Sequence, residues 1–184
     1  MIDDTQLSER AGHLYDAPVH GDQTFSDVLG ANEAYVQQFR HGGLAPRAAR
    51  GLAVLTCMDS RIEPLAMLGL RPGDAKILRN AGARVTDDVL RTLVLASYLL
   101  GVDRLMVIAH TDCRMASGDE DSVHAAVRDA GGPDTRELTF LVTDDQEADV
   151  RADVERVRSS PYLTELQVGG FLYDVETGHL VQLC

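Results

Sequence analysis

The chain has 184 residues, enough for one domain with a single sizeable core, and its 45% hydrophobic and 25% charged residues are ordinary for a globular protein. Its formal net charge of −12 argues against nucleic acid as a partner, because phosphate binding depends on clustered Lys and Arg. No apolar run reaches the ~20 residues of a membrane helix, and the acidic N-terminus lacks the layout of a signal peptide. We therefore expect no membrane association and a cytoplasmic location.

The first 25 residues are polar and show no clear period, which favours a mobile tail over the alternative, an arm that packs on a partner subunit. Residues 26–184 are expected to form a single domain. Its first element is a helix that begins at Ser26 and ends at the sequence His41-Gly42-Gly43. One face of this helix carries the apolar residues Val28, Leu29, Tyr35, Val36 and Phe39.

Two apolar runs stop abruptly at potential metal ligands. Gly51–Thr56 ends at Cys57, and Leu105–Ala109 ends at His110, which Cys113 follows three residues later. Runs of this length indicate buried parallel strands, whose carboxyl ends meet at one edge of a sheet. Alone, a buried Cys is usually a small hydrophobic residue and a His at a strand end is usually just hydrogen-bonded. Together they form a Cys₂His set, known for catalytic zinc, and the combination predicts a zinc enzyme.

The segment between these runs predicts a short helix, a second strand and a long helix. Pro64 and Gly69 bound the short helix, and Ala75–Leu78 is the strand. Thr86 is a good N-cap for the long helix, which Gly101 ends. We expect this helix to be mostly buried and to bridge strands two and three.

The C-terminal part predicts two helices and a hairpin. The helices span residues 119–130, where we expect a solvated His124, and residues 144–158. The hairpin joins residues 168–175 to 180–183, and Cys184 is expected to be an exposed thiol. The predicted fold is a three-layer α/β domain with a mainly parallel sheet of order 2-1-3-4, a C-terminal hairpin strand and helices on both faces.

Three motifs occur in a fixed order: Cys57-x-Asp59-x-Arg61, then Arg79-Asn80-Ala81-Gly82, then His110-x-x-Cys113. In these motifs the chain resembles the β-class carbonic anhydrases, most of all the short bacterial members, from about residue 26 to the C-terminus. The resemblance implies zinc bound by Cys57, His110 and Cys113. It also implies a homodimer or higher homo-oligomer, with the sites at the subunit interface and the N-terminal helix packed across the dimer.

The implied reaction is the reversible hydration of carbon dioxide to bicarbonate and a proton. Two thiolates cancel the charge of Zn²⁺, so the site needs help from neighbouring groups to activate water. Asp59 is suited to orient that water, and Arg61 to keep Asp59 ionised; the alternative for this pair is a purely structural ion pair. In the resembling family the Asp can also move onto the zinc and close the site. Ala81 and Gly82 are small residues that would let the loop backbone approach the metal closely and line the substrate pocket; the alternative is a tight turn after the second strand.

Two other functions remain open on the sequence. The same zinc centre would also suit the hydrolysis of carbonyl sulfide or carbon disulfide, activities that the resembling family contains, or a zinc-stabilised protein without turnover. Arg114 departs from the family pattern, which usually has Gly after the second Cys. Its side chain is expected either to narrow the pocket and hold an anion, or to point to solvent or pair with an acid such as Asp112.

Overall fold

A computed structural model of the protein describes residues 25–184, so our prediction for the N-terminal tail or arm lies outside the described residues. The described residues belong to two compact units, residues 25–42 in the first and residues 43–184 in the second. In the first unit, helix α1 spans Ser26–Gln38 and buries none of its residues. It ends earlier than predicted, because the backbone of Phe39 is already extended.

The second unit is built on a five-stranded sheet of order β2-β1-β3-β4-β5. Strands β1 to β4 are parallel and β5 runs antiparallel to β4, which confirms the predicted order and the C-terminal hairpin. The strands are β1 (Leu52–Cys57), β2 (Ala75–Asn80), β3 (Arg104–His110), β4 (Gln167–Tyr173) and β5 (Leu180–Gln182). Because β1 and β3 are neighbours and run in the same direction, Cys57 and His110 leave the same edge of the sheet.

Helices cover the two faces of the sheet unequally. The helices of this unit are α2 (Pro64–Met67), α3 (Asp87–Leu100), α4 (Glu120–Asp129) and α5 (Gln146–Arg158). Side chains of α3 and α5 pack on the face formed by Ala53, Leu55 and Val107. The opposite face, with Leu52 and Val54, is packed by Met67 of the four-residue α2 and the turn that follows it. None of the helices between residues 25 and 184 is long and apolar enough to cross a membrane.

Helix α3 has the predicted ends but not the predicted burial. The side chain of Thr86 accepts a hydrogen bond from the backbone N–H of Val89, and Gly101 ends the helix in the left-handed conformation at φ 72°. Only one face is buried, through Val89, Leu93 and Ala96. Leu95, Tyr98 and Leu99 are 45%, 68% and 64% exposed, so the expectation of a mostly buried helix was wrong.

Two further sequence expectations need correction. His124 is not solvated: its ring packs against that of Phe140 in a tilted arrangement with centroids 5.2 Å apart, and its Nδ1 lies 2.9 Å from the hydroxyl of Thr135. Cys184 is half-buried and packs against the core, because its backbone pairs with Gly170 of β4. Both contacts join segments that are distant in sequence, which local patterns do not reveal.

Candidate metal centre

Cys57 is the last residue of β1, a strand inside the sheet with β2 and β3 on either side. All six residues of this strand are buried, because it has a parallel neighbour on each side and apolar residues on both faces. The sulfur of Cys57 accepts a hydrogen bond from the backbone N–H of Gly82 at 3.4 Å. This residue therefore presents its thiol from a rigid element and is only 5% exposed.

His110 ends β3 and is completely buried. Its Nδ1 lies 2.8 Å from the carbonyl oxygen of Thr111, so we assign the proton to Nδ1, which donates to that oxygen. This tautomer leaves a lone pair on Nε2, an atom that is buried and has no hydrogen-bond partner among residues 25–184. A buried nitrogen without a partner is costly, and binding a metal ion would satisfy it.

Cys113 returns to the same point through a tight turn after His110. The three potential ligand atoms, two sulfurs and one imidazole nitrogen, all lie within 4.8 Å of one another. Burial raises the pKa of the Cys113 thiol, and the neighbouring Cys57 raises it further. Two adjacent buried thiolates would require a nearby cation, so this set of two sulfurs and one imidazole nitrogen fits Zn²⁺.

A carboxylate held by an arginine adjoins these ligands. Arg61 donates from Nε to Oδ1 of Asp59 at 3.0 Å and from Nη2 to Oδ2 at 2.7 Å, and its backbone N–H adds a third hydrogen bond. These bonds hold the pKa of the Asp59 carboxyl well below its usual range. Oδ2 of Asp59 lies 3.9 Å from Nε2 of His110, so an ionised oxygen faces the ligand cluster.

Arg79 organises the loop between Cys57 and Ile62, a role that the sequence motif did not reveal. Its guanidinium donates to three backbone carbonyl oxygens, those of Cys57 at 2.9 Å, Asp59 at 2.6 Å and Ile62 at 3.2 Å. The register of the parallel pair places Arg79 opposite Thr56, immediately before this loop. The sequence did show an arginine near the end of the neighbouring strand. It could not show which carbonyl oxygens that arginine would contact, because they come together only when the loop is folded.

The comparisons with known proteins agree with this geometry. A family model described as carbonic anhydrase matches residues 52–180. The chain belongs to the carbonic anhydrase family. Beta-carbonic anhydrase 1 of Mycobacterium tuberculosis is 35% identical over 157 residues, which cover 84% of this chain and 94% of that protein. This level of likeness over nearly the whole relative confirms the β-class resemblance noted from the motifs.

Solved carbonic anhydrases share the fold. The crystal structure of the carbonic anhydrase from Streptococcus mutans superposes with a TM-score of 0.82 and 36% identity, covering 87% of this chain and 97% of that one. A relative named for a different activity, a carbon disulfide hydrolase from Acidithiobacillus thiooxidans, is 33% identical over 151 residues, which cover 71% of this chain and 76% of that protein. The family thus includes relatives named for two substrates.

Ala81 and Gly82, which we predicted to line the substrate pocket, form a short 3₁₀ turn immediately after β2. Gly82 has φ 76°, a conformation that glycine adopts without strain, and a Cβ there would lie 3.3 Å from the Cβ of Met115. The turn is therefore close to both ligand-bearing loops. The contact of these residues with substrate stays a prediction.

Arg114 is exposed on the turn after Cys113, where this chain differs from the carbonic anhydrase motif. Its Nη1 donates to the carbonyl oxygen of Ser117 at 3.1 Å and to the hydroxyl of Ser117 at 3.0 Å. The acid that we considered as its partner, Asp112, instead accepts from Arg61. The guanidinium is thus held over its own turn, and its role in the pocket stays a prediction.

Proposed function

We propose that this protein catalyses the reversible hydration of carbon dioxide to bicarbonate and a proton, with one Zn²⁺ per chain held by Cys57, His110 and Cys113. The observation that carries the proposal is the convergence of these three ligand atoms within 4.8 Å, beside a carboxylate that an arginine keeps ionised. The family to which the chain belongs supports the same reaction.

Zinc bound at this set would supply a Lewis acid that lowers the pKa of a water ligand. The chain's own residues then orient and hold the reacting groups. Asp59 stays ionised because Arg61 donates to both of its oxygens. Its carboxylate can therefore accept a hydrogen bond from a group in the site but has no proton to donate. His110 keeps a fixed ring orientation through its bond to Thr111.

The electrostatics of the whole chain suit a neutral substrate. The net charge of −12 would repel an anion at long range, whereas carbon dioxide carries no charge and is not affected. Near the site, Cys57 and Cys113 lie in an apolar cluster with Ile62, Met67 and Met115. An apolar surrounding excludes water from the ligands and admits a small apolar gas. We include Ala81 and Gly82 in the proposed pocket; Arg114, whose guanidinium bonds Ser117, belongs to it only through its position next to Cys113.

Hydrolysis of carbon disulfide is the second candidate, favoured by one specific observation. The chain covers 76% of a carbon disulfide hydrolase at 33% identity, which supports that activity as a candidate for this chain. Carbonyl sulfide, a linear molecule intermediate between carbon dioxide and carbon disulfide, belongs to the same candidate. Stopped-flow hydration of carbon dioxide and release of sulfide from the other two gases, measured on one zinc-loaded preparation, rank the three substrates.

The test of the metal assignment compares two cysteine variants. Cys57→Ser should lose zinc and stability, because a metal that binds only the folded state contributes its binding energy to folding. Cys184→Ser, at a cysteine outside the ligand cluster, should keep zinc near one per chain and full activity. Zinc content by elemental analysis together with stopped-flow rates decides it. Full zinc in Cys57→Ser would contradict the assignment of the metal ligands. If the zinc-loaded protein is inactive on all three gases, the chain is a zinc-stabilised protein without turnover.

We also propose a homodimer as the functional unit and a cytoplasmic location. Exposed apolar side chains on α1 and α3 support self-association, and the three cysteines, all free, support a reducing compartment. Fractionation of cells with an antibody against the chain tests the location. Recovery of the chain in the extracytoplasmic fraction would contradict it.

A further inference from the structure

Arg61 makes more hydrogen bonds than its pairing with Asp59 requires. Its Nη1 donates to Oδ2 of Asp112 at 2.7 Å, and its Nη2 donates to the carbonyl oxygen of Asp112 at 3.0 Å. Asp112 is 51 residues away in sequence and lies between His110 and Cys113. One guanidinium thus connects the loop that carries Asp59 to the loop that carries two of the three ligands.

A second Asp-x-Arg pair in the same chain shows what the local sequence achieves by itself. In the exposed pair Asp134-x-Arg136, the Nε of Arg136 donates to Oδ1 of Asp134 at 2.9 Å and its backbone N–H donates to the same oxygen at 3.1 Å. This is the geometry of the Asp59–Arg61 pair. Among residues 25–184, however, Arg136 donates to no residue other than Asp134. The pair therefore closes without help, and the bonds to Asp112 are an addition.

The backbone of Asp112 is shaped to make both of these additional bonds. Its φ of 53° lies in the left-handed region, which is unfavourable for most residues and better tolerated by Asp and Asn. This conformation presents the carbonyl oxygen and the carboxylate of Asp112 to the same guanidinium. A non-glycine residue held in this conformation at a ligand-bearing turn indicates a constraint that the surrounding contacts maintain.

We propose that Asp112 is a positioning residue that, through Arg61, fixes Asp59 relative to the metal ligands. The inference rests on the proposed function and deepens it. Without the Asp112 carboxylate, the Asp59–Arg61 pair would still form, but only the carbonyl oxygen of residue 112 would tie it to the His110–Cys113 turn. Asp59 would then move more freely, including towards the metal. Because the side chain of Asp112 is 80% exposed, its ion pair adds little to folding stability, so the effect belongs to geometry.

The test uses two substitutions of Asp112 and a matched control. Asp112→Gly removes the carboxylate and tolerates the positive φ, and Asp112→Asn keeps an acceptor oxygen in place. We expect Asp112→Gly to keep zinc near one per chain and to lower kcat at pH 7 by roughly tenfold, less than the ~100-fold that a 1 Å misplacement can cost, because the bond to the carbonyl oxygen of residue 112 remains. Asp112→Asn should recover most of the rate. The control Asp134→Gly removes the carboxylate of the exposed pair and should match the unmodified protein.

A readout independent of turnover comes from cobalt-substituted protein titrated with cyanate. In the unmodified protein, cyanate should change the visible absorption of the cobalt by binding to it. In Asp112→Gly, the same spectral change should need several-fold more cyanate, because Asp59 competes for the same position. The inference is overturned if Asp112→Gly has unmodified kcat and cyanate response, or if it loses zinc while its rate per zinc is unchanged. If the unmodified protein hydrates no carbon dioxide, the proposed function fails, and the cyanate titration still judges Asp112.

Discussion

At the scale of single residues, Arg61 sets the protonation of Asp59. Its hydrogen bonds depress the pKa of the carboxyl, so the ionised form stabilises the fold above the usual pKa of Asp and this contribution is lost as pH falls through the depressed value. Over the range where a carbonic anhydrase works, Asp59 therefore stays a hydrogen-bond acceptor. The ionised carboxylate is the form that can orient a hydrogen-bond donor in the site, such as a water molecule.

We predict that Arg61→Ala lowers kcat at neutral pH while zinc stays near one per chain. With the guanidinium removed, the pKa of Asp59 rises towards its ordinary range, so the low-pH loss of activity moves to higher pH, and the carboxylate is free to reach the metal. Stopped-flow rates from pH 5 to pH 9 and elemental analysis measure both effects. Arg91→Ala, which breaks the exposed pair with Asp88, is the control. Activity equal to the unmodified protein between pH 7 and pH 9 would make the Asp59–Arg61 pair merely structural.

Arg114 poses a separate question at the same scale. If its side chain lay across the pocket mouth, Arg114→Gly would weaken inhibition by small anions and move the activity profile to higher pH, because a cation near the metal had been removed. The hydrogen bonds to Ser117 favour the other outcome. We predict that inhibition by cyanate and the pH profile both change by no more than an ordinary surface substitution would produce. Weaker inhibition together with a shifted profile would place Arg114 in the pocket.

At the scale of secondary-structure elements, helix α5 supports the turn beside the ligands. Asp153 of α5 is buried and accepts from Nε of Arg84 at 2.8 Å and from the backbone N–H of Val85 at 3.1 Å. The side chain of Asn80 holds the backbone of Arg84 from the other side, at 2.9 Å and 2.7 Å. These bonds fix the chain that follows β2, where Gly82 donates to the sulfur of Cys57.

We predict that Asp153→Ala lowers the free energy of unfolding by about 3 kcal/mol, because Arg84 and the N–H of Val85 both lose a buried partner. Asp149→Ala is the matched control, since Asp149 pairs with the same guanidinium but is more exposed, and it should cost clearly less. Urea denaturation of zinc-loaded protein measures both. If both variants lose the same free energy of unfolding, the burial of Asp153 does not strengthen its ion pair with Arg84.

The elements also show why the sequence predicted some features and not others. The ends of β1 and β3 were predictable, because long apolar runs stop at polar residues and parallel strands share an edge. The caps of α3 were predictable from Thr86 and Gly101, since capping is a local interaction. The exposure of Leu95 was not predictable, because the helical period does not say how many faces of a helix other elements cover. The bonds from Arg61 to Asp112 were not predictable either, because residues 51 positions apart meet only in the folded chain.

At the scale of the whole molecule, apolar surface remains that the described chain does not cover. On α3, Tyr98 and Leu99 are 68% and 64% exposed, and Tyr162 beyond α5 is 67% exposed and lines the same cavity as Tyr98. A contiguous apolar surface of this kind is typical of an interface between subunits. The resemblance to β-class carbonic anhydrases, noted from the motifs, implies a dimer as the building block.

Burial of this apolar surface between two copies of the chain predicts a dimer in solution. In sedimentation velocity at micromolar concentration, the protein should sediment as a dimer with about twice the chain mass of 20.0 kDa. Leu99→Glu should shift it towards monomer, because burying an unpaired carboxylate in an apolar interface costs several kcal/mol. Leu138→Glu is the control, since Leu138 is similarly exposed at 57% but lies in the loop after α4. A monomeric unmodified protein would refute the dimer itself. If Leu99→Glu stays a dimer, and zinc remains near one per chain in both variants, α3 is excluded as the interface. A carboxylate at position 99 would then not be buried against an apolar surface of the partner.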